Sequence, residues 1–523
     1  MNVPAPLTAE DFVARTARSD RSVATVVFAL LAVASFLPTL LVPIPAMGDY
    51  VNHLARMYLL TEMGTANANP YYQAAWAFYP NLAMDLVVPQ MARLLGVENA
   101  TRLFLLFSQI LVVGGALALE WVVKGRVHLA GFAALMFLYC LPFSWGFTNF
   151  ECGLGIALWG IAAYLAIAGR SAPVRLAVNA ASVMVLLAAH FFALGVYGAT
   201  LGFYELWRAF DRKCSVREIA LRFLTLATPA VVLLATMKLA HGSVGNEGTL
   251  WYFDCKLLWP FFIVNGYSMA VSGASAIVLL VAVYIAARCR ALKLMPAGIW
   301  IAAGFALLYL AIPPRLFNTA YADIRVLPAI ALILPAFGLL SLPDRRWTMA
   351  ALVIVCGITL ANLGVVLNVW LSYRSEYAAV IKSLQHIDRG SKILIGTSAE
   401  GEDPPFEDLT QFPIYYAPTL AVHYANAFVA NVFTETGKQP IQVRDDVRRL
   451  SIPNGTPVPV RWLSAIFEGK TAVPEGRAAI RTWYRDYDYL YLVGPAMANP
   501  LPDLLEELDR SGRFALYKIR RAP

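Results

Sequence analysis

The stretch SVATVVFALLAVASFLPTLLVPIPAMG, Ser22–Gly48, carries no charge, and Asp49-Tyr50-Val51-Asn52-His53-Leu54-Ala55-Arg56 follows it directly. About 20 apolar residues suffice for a helix to cross a hydrocarbon layer. Arg15, Arg18 and Arg21 precede the run. It is too long for the apolar region of a cleaved signal peptide, so it reads as an uncleaved first span.

Nine more uncharged runs follow: Leu103–Leu119, Leu129–Phe150, Cys152–Gly169, Leu176–Tyr204, Phe223–Met237, Leu257–Ala287, Leu294–Pro314, Val326–Pro343 and Trp347–Tyr373. Leu176–Tyr204 has His190 at its middle and reads as two short helices meeting there at the outer face. The expected fold is a polytopic α-helical membrane protein of about eleven transmembrane helices, its two ends on opposite sides. Composition agrees. Of 523 residues, 59% are hydrophobic and 15% charged, where a soluble domain carries about 25% charged residues. The six cysteines contain no Cys-x-x-Cys pair, which argues against a metal cluster or a disulfide scaffold. Cys152 and Cys255 fall on one predicted side and are the pair that could join.

Charge placement sets the orientation. Alternate loops hold Arg15/Arg18/Arg21, Lys124/Arg126, Arg170/Arg175, Arg208/Arg212/Lys213/Arg217, Arg288/Arg290/Lys293 and Arg345/Arg346. The opposite loops hold only Arg56, Arg93, Lys256, Arg315 and Arg325. The positive-inside rule then puts the N-terminus in the cytoplasm and the C-terminal residues outside. The net charge of +8 is explained by these loops, which removes a nucleic-acid partner. Residues 1–373 form the expected membrane domain, with a long first outer loop at 45–100. Residues 374–523 read as an extracytoplasmic α/β domain. Its expected elements are a helix at Ser375–Asp388, a strand at Lys392–Thr397, a polar loop at Glu400–Pro405, a strand at Tyr489–Gly494, a helix at Asp503–Arg510 and a strand at Phe514–Lys518.

The chemistry-bearing residues lie on the outer side. In a helix, Asp49, Asn52, His53 and Arg56 stack on one face, and Val51, Leu54, Ala55 and Tyr58 form an apolar face. This predicts an amphipathic helix on the membrane surface. A carboxylate, an imidazole and a guanidinium within two turns suit removal of a hydroxyl proton and stabilisation of a phosphate leaving group. The same residues also fit a plain surface ion pair. His190 fits either a ligand or a packed core histidine, and Lys256 either a headgroup contact or a snorkelling side chain. Arg315 and Arg325 flank an outer loop, where arginines run against the positive-inside bias; a lipid phosphate gives them a reason, and a local Asp323–Arg325 pair is the plainer alternative. Glu151 opens the fourth span and offers a second carboxylate or a metal ligand.

Span one, the acidic residue after it, the loop helix, about eleven spans and an outer C-terminal domain together resemble the GT-C glycosyltransferase superfamily. The string Asp323-x-Arg325-Val326-Leu327-Pro328 looks like that superfamily's late outer-loop element. The resemblance implies a membrane glycosyltransferase of the bacterial inner membrane. It would move a sugar from a polyprenyl-phosphate donor to the hydroxyl of a glycan, lipid or protein acceptor by inverting displacement. Asp49 takes the position of the base. Arg325, Arg315, Lys256, His53, Arg56, His190 and Asp323 are the candidate donor contacts. Many members carry two adjacent acids after span one, whereas Tyr50 follows Asp49 here, so Asp85 or Glu151 is the candidate second acid. The resemblance fixes no cofactor and leaves a divalent metal open. A transporter or flippase, a polymerase of lipid-linked saccharides, or a non-catalytic scaffold are the alternatives; the first predicts repeated halves, and no internal repeat is visible.

Overall fold

The computed structural model describes residues 9–127, 129–211, 215–241, 249–253, 256–316, 319–399, 412–473 and 477–521. Cys255 and the loop expected at Glu400–Pro405 lie outside the described residues. The first part of the chain is helical: α1 (Ala9–Leu41), α2 (Tyr50–Glu62), α3 (Ala83–Leu95), α4 (Val97–Lys124), α5 (Ala130–Phe137), α6 (Leu141–Ser144), α7 (Thr148–Ala166), α8 (Ala172–Ala189), α9 (Phe191–Asp211), α10 (Val216–His241), α11 (Trp259–Phe262), α12 (Met269–Arg288), α13 (Pro296–Ala311), α14 (Val326–Ile333) and α15 (Arg345–Ser383).

Seven helices among the described residues are long and apolar enough to cross a membrane: the Ser22–Leu41 part of α1, then α4, α7, α8, the Val216–Ala235 part of α10, α12, and the helix that starts at Arg345. The other four expected spans fall on elements outside that set. Leu129–Phe150 is not one helix. Cys140 is extended and Pro142 starts a new short helix, as proline favours the first turn. α9 exists, and the break at His190 is where the sequence put it, but the helix carries Glu205 and Arg208. α13 and the Val326–Phe337 stretch are apolar but short. Within Leu257–Ala287 the chain turns at Asn265, whose Oδ1 accepts from the backbone N–H of Tyr267 and Ser268. Ser268 then caps α12.

Strands occur in four groups. β1 (Tyr72–Ala74) lies in the first loop, β2 (Leu292–Leu294) pairs with β5 (Gly338–Leu340), and β3 (Arg315–Leu316) pairs with β4 (Thr319–Ala320). The C-terminal sheet is built from β6 (Lys392–Thr397), β7 (Phe428–Val429), β9 (Val458–Pro459), β10 (Tyr489–Val493), β11 (Leu505–Arg510) and β12 (Phe514–Ile519), while β8 (Ile441–Val443) pairs with β1. Its order is β11-β12-β10-β6-β7, with β9 on the far end of β6. β6 is parallel to β7, β9 and β10, and β12 is antiparallel to both its neighbours. The strands expected at 392, 489 and 514 are present. The helix expected at Asp503–Arg510 is an edge strand instead. Pairing with β12 overrides the local helix preference of Leu-Leu-Glu-Glu-Leu, and its charges and a bulge near Asp509 suit an exposed edge.

The first loop and the C-terminal residues share one hydrophobic core. β1 is hydrogen-bonded to β8. The Tyr72 hydroxyl both donates to the carbonyl and accepts from the N–H of Val429. Asn69 donates to the Ala427 carbonyl at 3.0 Å. α2 is therefore not the surface helix expected from its pattern. Val51, Leu54 and Ala55 of its apolar face and its polar residues Asn52 and Arg56 are all buried, with Tyr58 half-buried. Asn52 is satisfied by partners nearly four hundred residues away. The Asn52 amide donates to the Asn431 carbonyl at 2.8 Å and accepts from the Phe433 N–H at 2.9 Å. The helix that leaves apolar side chains exposed is α3, with Leu86, Val87 and Leu94 outward beside exposed Arg93. Replacing Asn52 by alanine orphans two backbone groups, each worth about 1–3 kcal/mol when buried without a partner. Asn52→Ala is expected to lower the unfolding midpoint in detergent and to make the C-terminal sheet more sensitive to proteolysis; an unchanged midpoint contradicts the clamp.

Candidate active site

Asp49 sits where the chain leaves α1 and enters α2. Pro43 and Pro45 end the first helix's register, and the segment after them is anchored by backbone contacts. The Tyr267 hydroxyl donates to the Ala46 carbonyl at 2.6 Å and accepts from the Trp370 indole N–H. The Gly48 and Asp49 N–H groups donate to the carbonyls of Ser144 and Trp145. Gly146 lies against Asp49 with φ +92°, a conformation side chains rarely adopt; a Cβ there would come within 2.7 Å of the Asp49 nitrogen. The turn at Trp145-Gly146-Phe147 is thus shaped to admit Asp49.

The Asp49 carboxylate makes no cap bond to its own helix, and among the described residues it has no hydrogen-bond partner. It lies deep in the fold yet keeps part of its surface accessible. Burial pushes its pKa up to about 7, against the attraction of Arg325 and then of Arg56. Arg325 precedes α14 and is itself buried. Its guanidinium stands 4.4 Å from the Phe147 ring centroid and 4.8 Å from that of Phe192. Burial lowers its pKa to about 10, and the charge of Asp49 opposes that shift. Its Nε has no hydrogen-bond partner among the described residues. Carboxylate and guanidinium thus act on each other as charges, and neither is consumed by the other in a hydrogen-bonded ion pair.

His190 closes the α8–α9 junction. Its Nδ1 accepts from the Phe192 N–H at 3.1 Å, which fixes the phenylalanine under Arg325. Burial and the nearby Arg325 hold His190 well below the usual imidazole range, so it is neutral. His53 lies one turn along α2 from Asp49; burial, then Arg56, depresses it, and the Gly146 backbone opposes that.

The other sequence candidates have definite places. Arg56 pairs with Asp85 at 3.0 Å, and both are buried. Lys256 is enclosed: its ammonium donates to the carbonyls of Tyr309 and Ile312 at 2.7 and 2.6 Å. It also lies 3.3 Å from Asp323, an ion pair without a shaped hydrogen bond. Asp323 therefore meets Lys256, in place of the local Asp323–Arg325 pair. Arg315 is exposed on β3. Glu151 is buried in the first turn of α7, and its Oε2 has no partner. Among the described residues no group of three His, Cys, Asp or Glu side chains could hold a metal ion. Sequence reasoning missed Phe147, Phe192 and Gly146. The doublet Phe191-Phe192 beside His190 was the only local signal for the second of these.

The long apolar helices and the likeness to solved structures show the fold of a polytopic helical membrane protein. The structure aligns with ArnT from Cupriavidus metallidurans solved bound to undecaprenyl phosphate, with a TM-score of 0.50 and 12% identity over 94% of this chain and 97% of that one. Its apo state aligns with a TM-score of 0.50 and 12% identity over 95% and 98%. The arabinofuranosyltransferase AftD from Mycobacteria aligns more loosely, at a TM-score of 0.45 and 14% identity over 95% of this chain and 40% of that one. No family model and no curated relative matches the chain by sequence.

Two outcomes follow from the electrostatics. A carboxyl whose folded pKa lies above its unfolded value holds its proton more tightly when folded, so its contribution to stability is present at low pH and lost as pH rises toward 7. Asp49→Asn should therefore leave the unfolding midpoint unchanged near pH 4 and raise it increasingly up to about pH 8; a lowered midpoint at pH 8 contradicts the assignment. Lys256→Met strands Asp323, and breaking one side of a buried pair costs about 3–5 kcal/mol. Adding Asp323→Leu should restore much of the loss in thermal unfolding, whereas additive losses contradict the pairing.

Proposed function

We propose that this protein is a membrane glycosyltransferase that takes a sugar from a polyprenyl-phosphate donor, with Asp49 as the base. The observation that carries the reading is the unpartnered, partly accessible carboxylate of Asp49 within electrostatic reach of the buried guanidinium of Arg325. The shared fold with ArnT, a protein solved with undecaprenyl phosphate, supports the lipid class of the donor. The sheet side of the chain is the extracytoplasmic side of a bacterial inner membrane in this reading, with the N-terminus in the cytoplasm.

The acceptor hydroxyl gives its proton to Asp49 as its oxygen attacks the anomeric carbon. The bond from that carbon to the phosphate oxygen breaks, and its electron pair leaves with the polyprenyl phosphate. A single displacement inverts the anomeric centre. Arg325 is the cation that balances the growing phosphate charge. Its aromatic walls exclude water, which strengthens that interaction. Lys256 and Asp323 stabilise the loop that carries Arg325. Asp85 is held by Arg56, which leaves Glu151 as the second acid of interest.

A base works only when deprotonated, so transfer should rise with pH through about 7. General-base contributions are typically about 10²–10⁴-fold. With a synthetic polyprenyl-phosphate sugar and the full chain in detergent or nanodiscs, Asp49→Asn is expected to lose transfer by that order while staying folded. Wild-type transfer by a folded Asp49→Asn protein would sink the role.

A further inference from the structure

The C-terminal sheet places one aromatic ring beside the catalytic cluster. Phe433 follows Asn431, whose side chain is bound on both sides: its Oδ1 accepts from the Ile395 N–H of β6 at 3.0 Å, and its Nδ2 donates to the Thr456 carbonyl at 2.8 Å. From the other direction, Asn52 of α2 grips the same turn through the Asn431 carbonyl and the Phe433 N–H. The backbone of Phe433 is therefore fixed between the sheet and the helix that carries the site.

The ring is fixed as well. Its centroid is 5.7 Å from that of His53 and 5.5 Å from that of Tyr416, both edge to face. Gly455 abuts it with φ +81°, and a Cβ there would come within 2.5 Å of a ring carbon. Asn52, Asn431 and Val432 around it are buried, yet Phe433 and His53 both keep accessible surface. A rigidly seated, partly open aromatic ring next to an imidazole, one helical turn from a carboxylate, fits the apolar C–H face of a sugar ring. The site has two sources of aromatic wall. Phe147 and Phe192 come from the ends of α7 and α9 and flank Arg325, whereas Phe433 comes from the loop after β7 and flanks His53.

We infer that Phe433, with His53 at its edge, is the wall against which the sugar ring of a glycan or glycolipid acceptor stacks, so that the C-terminal sheet supplies the acceptor half of the site. The assignment to the acceptor rests on the transfer reading; carbohydrate binding at Phe433 does not. Saturation-transfer NMR of methyl glycosides with the full chain in nanodiscs tests the binding. The wild-type protein should saturate the ring C–H protons, Phe433→Leu should weaken the effect by about tenfold, the scale of one aromatic contact, and Phe433→Trp should keep it. Asp49→Asn should bind like the wild type, so loss of transfer there stays separate from loss of stacking. In the transfer assay with octyl glycosides, Phe433→Leu should raise the acceptor KM and leave the donor KM unchanged. No saturation by the wild type, equal saturation by a folded Phe433→Leu protein, or a rise confined to the donor KM overturns the inference. Binding without any transfer overturns the proposed function and leaves the wall in place.

Discussion

The arrangement depends on the burial of α2 between the membrane helices and the C-terminal sheet. A helix that carries Asn52 and Arg56 in its buried surface needs partners for them, because an orphaned buried donor or acceptor costs more than an ordinary hydrogen bond returns. Asn52 finds the Asn431–Phe433 backbone, and Arg56 finds Asp85 and Gln439. These bonds hold α2 against turning about its axis, and its first residue fixes Asp49. The sheet is thus part of the site's scaffold as well as a region that follows it in sequence.

On that scaffold the charges are deployed in two ways. Arg56–Asp85 and Lys256–Asp323 are closed pairs, buried and mutually compensated. Asp49 and Arg325 remain open: each feels the other's charge, and neither carboxylate nor guanidinium is closed by a direct ion pair. The enclosure by Phe147 and Phe192 keeps water away from Arg325 and so sustains its strength as an anion partner. Leaving the Arg325 charge uncompensated is destabilising, and in the proposed function an anionic ligand relieves it.

The sequence made the local features readable. Uncharged runs marked the long spans, His190 marked the break between α8 and α9, and short β-rich runs marked β6, β10 and β12. The acid after span one and the late Arg325 were singled out by position and by charge bias. What the sequence hid was long-range. The polar face of α2 looked like a surface face because its partners at Asn431 and Phe433 are nearly four hundred residues away. Lys256 looked available, though its ammonium donates to Tyr309 and Ile312 and is ion-paired with Asp323. Leu505–Arg510 looked helical because the pairing with β12 that decides it is not a local property.

The central claim is that Arg325 and Asp49 together form the seat of a lipid-linked phosphate and the sugar it carries. Binding of undecaprenyl phosphate to the intact protein, measured by native mass spectrometry or in nanodiscs for the wild type and for Arg325→Gln, addresses it most directly. A buried charge-assisted contact to phosphate is worth about 1.5–3 kcal/mol, so the account predicts about tenfold weaker binding, or worse, in Arg325→Gln. Equal affinity in a folded Arg325→Gln protein would contradict it.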